Sequence, residues 1–275
     1  MTDLGETFRH AMSPLCARVT EAGPRLTDTN LAVSVAGCTI LRGDETERLA
    51  AAGIQVEGST DLLIALAQPD RRIGTVHIVN RGAGHVIIFG IPHPQAAPNI
   101  RIRLPASNSR IAFPDMRCSN LWLADVFLRS DGQTLYWGAG ASAVHTQIEL
   151  EGRGCGVFVG DDCMFSSGIW IRNHDMHTIY RVEDGAILNT PRLEMMVEQH
   201  VWVGQNALLL AIERIGYGAI VGAFALAKDP IPPKSLAVGA PARVINQGVS
   251  WTRHAQFADP ETQARIRRLD AFGIT

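Results

Sequence analysis

The most regular hydrophobic pattern in the chain has a period of six. Val197, Val203, Leu209, Ile215, Val221 and Ala227 are evenly spaced and all aliphatic, and Gly204, Gly216 and Gly222 each follow one of them. Two places further on stand Asn206, Gly218 and Phe224, the last breaking a run of small residues. Val159-Gly160, Phe165 and Ile171 carry the same beat upstream. An amphipathic helix would repeat apolar residues every three or four positions, and a glycine in each unit would weaken it. A six-residue unit instead makes one short strand and one corner, and three units close a triangular coil whose aliphatic side chains point inward. A single coil cannot bury that inner face, so coils stack and the two ends require caps. The regular part is predicted over residues 157–232.

Between residues 72 and 156 the beat loosens. Val76-His77-Ile78-Val79, Val86-Ile87-Ile88-Phe89, Ile100-Arg101-Ile102-Arg103-Leu104 and Leu121-Trp122-Leu123 read as short strands between Gly, Asn, Pro and Asp turns. They are expected to be irregular early coils. The first seventy residues differ in kind: Asp44 to Ala52 favours helix, with Val33-Ser34-Val35 and Ile54-Gln55-Val56 as flanking strands, giving a small N-terminal α/β cap. Pro260 to Phe272 is predicted as a terminal helix. The expected architecture is mainly β: a cap over 1–70, a parallel β-helix over 71–246 with an inserted loop at about 172–196, and a helical tail over 247–275.

Composition narrows the function. The 275 residues carry 25 Lys plus Arg against 27 Asp plus Glu, a formal charge of −2, so no basic surplus is available for nucleic acid. No apolar run approaches the ~18 residues of a membrane span, so no membrane insertion is expected. Met1 to Phe8 lacks a basic segment followed by an apolar one, the mark of a secretory signal. The five cysteines, Cys16, Cys38, Cys118, Cys155 and Cys163, form no CxxC pair and leave an odd one over, which fits thiols in a reducing cytoplasm. Cys155 and Cys163 read as small buried packing residues rather than nucleophiles.

From His174 to Ile245 the sequence resembles the hexapeptide-repeat acyltransferases, most of all bacterial O-acetyltransferases of capsular and other surface polysaccharides. Three stretches carry the resemblance: Asp175-Met176-His177-Thr178-Ile179-Tyr180 with Gly185 and Asn189; His200-Val201-Trp202-Val203-Gly204; and Ile231-Pro232-Pro233 followed by Ala237-Val238-Gly239-Ala240-Pro241-Ala242-Arg243-Val244-Ile245. The resemblance implies a left-handed helix, a homotrimer with sites between adjacent copies, acetyl-CoA as donor and a carbohydrate acceptor. It implies a catalytic base at His177, with Asp175 and Trp202 beside it, acceptor contacts at His174, Tyr180 and Asn189, and cofactor contacts at Gly222, Ala223, Lys228, Ala240, Pro241 and Arg243. Phe224 and Ala225 depart from the family's usual Gly and Ser, Ala211 from a corner Gly, and Lys228 falls one place early.

The chemistry agrees with the residue types. A sugar hydroxyl is a weak nucleophile, and an imidazole with an ordinary pKa of ~6.5 can take its proton. His177 lies in an insertion between hexads, where repeat scaffolds carry function. Asp175 either orients that imidazole or shapes an Asx turn. Trp202 contacts acyl group or acceptor, or packs between copies. Arg243 and Lys228 could meet CoA phosphates or stand as solvated charges. No Ser, Cys or Lys sits in an activating motif, so direct attack without an acyl-enzyme is expected. Phe113, Trp122, Tyr136 and Trp137 are candidates for stacking on a sugar ring, or core residues. Two other classes compete. A zinc lyase of the γ-carbonic anhydrase kind would use His174, His177 and His200, but an H-x4-H pair is absent and no metal is expected. An inactive scaffold or binding module is the third.

Overall fold

The computed structural model describes residues 3–272. Its centre is a left-handed parallel β-helix built on two hydrogen-bonded ladders. One ladder, the first face, runs through eight strands: Thr39–Arg42, Leu62–Leu66, His85–Pro92, Arg110–Met116, Thr134–Trp137, Gly156–Val159, Glu194–Val197 and Arg214–Ile215. The other passes through Ile54–Gly58, Thr75–Asn80, Asn99–Leu104 and Leu121–Leu128 to Ser142–Leu150, where it divides. The start of Ser142–Leu150 pairs with Met164–Phe165 and leads to Trp202–Val203, Ile220–Val221 and Ser235–Val238, the second face. Its end pairs with Ile169–Arg172 and leads to Leu208–Leu210 and Leu226–Ala227, the third face.

The division explains why the sequence changes rhythm. Early coils are two-sided and long: Val86 pairs with Arg110, 24 residues on, and Thr134 with Gly156, 22 residues on. Late coils are triangular: Trp202 pairs with Ile220 and Leu208 with Leu226, each 18 residues on, or three hexads. The regular beat therefore starts where the third face does. Glycine follows the inward aliphatic residue because the next coil crowds it; a Cβ on Gly204 would lie 2.6 Å from the backbone nitrogen of Ala223. Corners place residues in the left-handed region, and these stack in columns: Asp162, His200, Gly218 and Lys234 between the first and second faces, and His145, Gly168, Asn206 and Phe224 between the second and third. The inserted loop lies between Arg172 and Glu194, at the corner from third face to first.

The N-terminal region mixes helix and strand and caps the stack, as the sequence suggested, but its longest helix covers a flank rather than the end. Helix α1 (Leu4–Ala22) lies along the outside of the first face, where Phe8, Met12, Leu15 and Val19 pack on Ala65, Val86, Ile88, Ala112, Tyr136 and Phe158. Ile87, Phe89, Ile111, Phe113, Leu135 and Trp137 point the opposite way into the coil core. Strands buried on both sides read as unbroken apolar runs, which is why Val86-Ile87-Ile88-Phe89 shows no alternation, whereas Asn99–Leu104, with one side open, alternates. Val33-Ser34-Val35, expected as a strand, lies in helix α2 (Leu31–Ala36): Asn30 caps it by accepting the Val33 N–H, and Leu31 and Val35, four apart, bury one stripe. Ile54–Gly58 is a strand but already belongs to the parallel ladder, so the stack begins before residue 71. The end itself is closed by the antiparallel strand Thr39–Arg42 and helix α3 (Thr46–Ala51), whose Leu49 plugs the core. At the other end Arg243–Gln247 pairs antiparallel with Ser235–Val238, and helix α4 (Pro260–Ala271) sets Ile266 and Leu269 on Tyr217.

Both termini are tied to one corner of the middle coils. The Asp161 carboxylate accepts hydrogen bonds from the Thr27 hydroxyl and the backbone N–H groups of Asp28 and Ala139, while Gln199 donates to the Pro24 carbonyl. Asp162 faces His200, Arg253 and Arg265. Burial pushes the Asp161 carboxyl up to about 6 from 3.8, against the pull of its three donors. A folded pKa above the unfolded one favours the protonated form, so Asp161 contributes stability that is present below pH 4 and lost as pH rises through 6. The wild type should accordingly lose on the order of 3 kcal/mol relative to Asp161→Asn between pH 4 and 7 in urea titrations. A difference that stays constant with pH would contradict this.

Candidate functional site

The inserted loop is held shut at its neck and open at its tip. Asn173, fully buried where the Ile169–Arg172 strand ends, donates to the carbonyls of Glu151 and Arg192 and accepts the Glu151 N–H. The Arg192 N–H returns to the Asn173 carbonyl, closing the loop on itself. Beyond the neck, Ile179 to Leu188 forms a small hairpin: Tyr180 bridges Ile187, Leu188 donates to the Ile179 carbonyl, and Arg181 pairs with Asp184. Its apolar side chains, Ile179, Tyr180, Val182, Ile187 and Leu188, are exposed. Asn173 is not among the expected site residues, although its place directly after an inward strand and before an insertion marks it.

His174 is not free to meet a substrate. It is buried, its Nδ1 accepts the Met176 N–H at 3.0 Å, and its Nε2 lies 3.0 Å from the Asn189 carbonyl, to which it must donate. This fixes the neutral Nε2–H tautomer and makes His174 a staple. Asn189 is the second staple: its Oδ1 accepts the Ile179 N–H, and its Nδ2 donates to Asp175 Oδ2 and to the His177 carbonyl, both at 2.9 Å. With both amide hydrogens used, Asn189 holds the loop rather than an acceptor. Of the two readings open for His174, substrate-side or structural, these bonds favour the structural one, and the side chain of Asn189 is likewise spent on the loop, on two backbone groups and the Asp175 carboxylate.

His177 sits at the turn so fixed. Met176 before it adopts φ 68°, an uncommon left-handed conformation for a non-glycine residue, and the His177 side chain projects outward. Its imidazole makes no hydrogen bond among the described residues, and none joins it to Asp175, whose carboxylate is engaged by Asn189. Asp175 therefore acts on the loop and does not reach the imidazole directly in this conformation. Asn189→Ala should leave the melting temperature nearly unchanged, since the loop is exposed, while lowering turnover about tenfold or more by freeing the His177 backbone. Full turnover in that variant would remove the staple from the account.

Trp202 stands on the second face, between Met164 and Ile220 in the outward column, with its indole N–H on Ser166 Oγ at 3.3 Å. No hydrogen bond links it to His177 within the chain; the loop and the tryptophan leave the helix at different faces. The expected cofactor residues do gather at one end of the stack. Gly222 and Ala223 form the corner between the second and third faces, the Leu226 N–H donates to Gly239, and the Ala242 N–H donates to Leu226, which lays Gly239 to Ala242 alongside. Lys228 is exposed, and Arg243 is paired with Asp229 at 3.0 Å. Phe224, at the tip of that corner, holds φ 57° and is 70% exposed.

The zinc reading fails on geometry. His200 is buried, with Nδ1 2.8 Å from Asp162 Oδ2 and Nε2 2.9 Å from the Trp251 carbonyl, so it is also excluded as a base. Together with His174 it has no ring nitrogen left for a metal. Cys155 and Cys163 are buried as expected, and burial pushes the Cys163 thiol upward; all five cysteines are free. Of the four aromatic residues considered for sugar stacking, Phe113, Tyr136 and Trp137 are core and Trp122 is open to solvent. Among the described residues, no helix is long and apolar enough to cross a membrane.

Comparison with known proteins agrees with this architecture. No family model matches the chain. A polysialic acid O-acetyltransferase of Neisseria meningitidis is 41% identical over 54 residues, covering 20% of this chain and 25% of that protein. The galactoside O-acetyltransferase of Escherichia coli K12 is 24% identical over 112 residues, 40% of this chain and 53% of that protein. The matched segments thus span a quarter to about half the length of these relatives. Among solved structures, the polySia-specific acetyltransferase NeuO superposes with a TM-score of 0.65 at 16% identity, covering 80% of this chain and 93% of that one.

Proposed function

Because this chain carries the β-helix of the hexapeptide-repeat acyltransferases, we propose that it is an acetyl-CoA-dependent O-acetyltransferase acting on a sugar or polysaccharide hydroxyl. The observation that carries the reading is the presentation of His177: the Asn189 amide holds its carbonyl, while its imidazole is exposed and without a hydrogen-bond partner among the described residues. An unpaired imidazole near neutrality can accept the hydroxyl proton as the oxygen attacks, and later return a proton to the departing thiolate. Acetyl-CoA supplies the activated acyl carbon. The transfer is direct, with both substrates bound together: Cys155 and Cys163 are buried, and among the described residues no Ser, Thr, Cys or Lys side chain is hydrogen-bonded to a histidine ring that could activate it. A backbone N–H at a coil corner stabilises the oxyanion.

The donor lies along the corner of Gly222 and Ala223 toward Ala240 and Pro241, with Lys228 and Arg243 toward its phosphates. Tyr180, open on the hairpin, faces the acceptor. His177 and Trp202 leave one chain at different faces, which supports a homotrimer in which the loop of one copy meets the second face of the next. The exposed apolar hairpin is the surface such a contact would cover. Cytoplasmic residence fits five free thiols and the donor. The test is release of CoA thiol from acetyl-CoA across a panel of sugars and glycans. Acceptor-dependent release supports the reading; a protein that neither binds acetyl-CoA nor releases thiol with any acceptor refutes it.

A further inference from the structure

Among the described residues of the early coils, Trp122 is the large aromatic that stands exposed; Phe127 is half-buried beneath the Arg103 and Arg129 guanidinium groups. Its indole points outward from the Leu121–Leu128 strand, 43% exposed, and makes no hydrogen bond among the described residues. The His145 ring meets it edge-on, with centroids 4.8 Å apart and planes at 87°. His145 itself holds φ 56° where the register of Ser142–Leu150 breaks, between Ala143 and Thr146, as the ladder divides into second and third faces. His145 is the first residue of the corner column that continues through Gly168, Asn206 and Phe224, and that corner sets its ring beside the Trp122 indole. Neither imidazole nitrogen has a hydrogen-bond partner among the described residues, so the core gains nothing polar from it.

The pair is aligned with the proposed site. Leu121, Ala143, Phe165 and Val203 pair in succession as inward rungs, so Trp122, one place after its rung, and Trp202, one place before its rung, both project outward along this ladder, three coils apart and two positions offset across the strand. At ~4.8 Å per coil that separation is about 14 Å along the helix axis. Asn99, exposed, is Trp122's partner on the preceding coil. An open indole face flanked by an unpaired imidazole and a carboxamide is the chemistry that binds a sugar ring: an apolar platform for its C–H face and polar groups for its hydroxyls. We infer that Trp122 and His145 form an outlying subsite for an extended glycan, whose acetylated unit lies at His177 and Trp202. The acceptor class is therefore an oligo- or polysaccharide rather than a single sugar. This rests on the acetyltransferase reading above.

Affinity electrophoresis tests it, with dextran as a neutral polysaccharide and polysialic acid as an acidic one cast into native gels. The wild type should be retarded by one of them, and Trp122→Ala should weaken that retardation about tenfold, with melting temperature and native mass unchanged. Trp122→Phe, which keeps an aromatic face, should retain most of it. Equal retardation of Trp122→Ala, no retardation of the wild type by either polymer, or a change of native mass in Trp122→Ala would overturn the subsite; the last would assign Trp122 to a contact between copies. Acetyl-CoA binding, measured separately, keeps the two claims apart. A wild type retarded by glycan but blind to acetyl-CoA refutes the acyltransferase reading alone.

Discussion

His177→Ala should lower acceptor-dependent thiol release by about 10²- to 10⁴-fold, the range that removal of a general base produces. The fold should not notice. The imidazole is exposed and unbonded, and what the loop uses at this position is the backbone carbonyl that accepts from Asn189, which alanine keeps. The melting temperature should stay within the small change expected of a surface substitution. Acetyl-CoA binding should be intact, because the corner at Gly222 and Ala223, proposed to hold the donor, lies between the second and third faces, whereas the loop of His177 leaves between the third and first. A variant that turns over at the wild-type rate would remove His177 as the base. His174 and His200 could not replace it, since each has both ring nitrogens committed to protein partners.

The largest effect on stability is expected at Glu198. Its side chain is fully buried, one carboxylate oxygen accepts the Tyr217 N–H at 2.8 Å, and the other lies 2.7 Å from Arg214 Nε. The same residue's carbonyl accepts from Cys163 Sγ, so Glu198 joins three successive coils at one corner. Glu198→Ala would leave the Arg214 guanidinium without its counter-charge and the buried Tyr217 N–H without its acceptor, a loss of about 3–5 kcal/mol. Glu198→Gln, which keeps an oxygen for Tyr217, should cost less. Urea unfolding at one fixed protein concentration measures both, since assembly would otherwise shift the midpoint. An alanine variant as stable as wild type would mean that the coil corner repacks around the missing charge.

Much of the fold was legible because the hexad is a local signal. Each inward residue from Val197 to Ala227 repeats one environment, and Gly204 repeats the need for backbone to approach backbone. The two-sided coils were less legible because their strands are long and the first face is buried twice, so Val86 to Phe89 lacks any period to read. The N-terminal helix could not be placed from sequence, since its stripe of Phe8, Met12, Leu15 and Val19 says that it covers something without saying what. Val33 to Val35 misled through β-branching, and the Asn30 cap with tertiary burial of Leu31 outweighed that preference. At the candidate site, the interruption of the coils and the place of His177 on the exposed loop followed from motif and period. The roles of His174 and Asn189 did not, because whether a polar side chain faces substrate or its own backbone depends on where the loop's unpaired N–H and C=O groups fall.

The central claim, that this β-helix moves an acetyl group onto a sugar oxygen, is tested most directly by the chemistry of the product. Wild-type protein is incubated with labelled acetyl-CoA and glycan acceptors, and the labelled glycan is treated with mild alkali. The label should reside on the glycan, be released by alkali as an ester is, and be absent when His177→Ala replaces the wild type. An alkali-stable label would mark an amide and move the chemistry to an amino sugar; no labelled glycan from any acceptor, or equal labelling by the variant, would contradict the account.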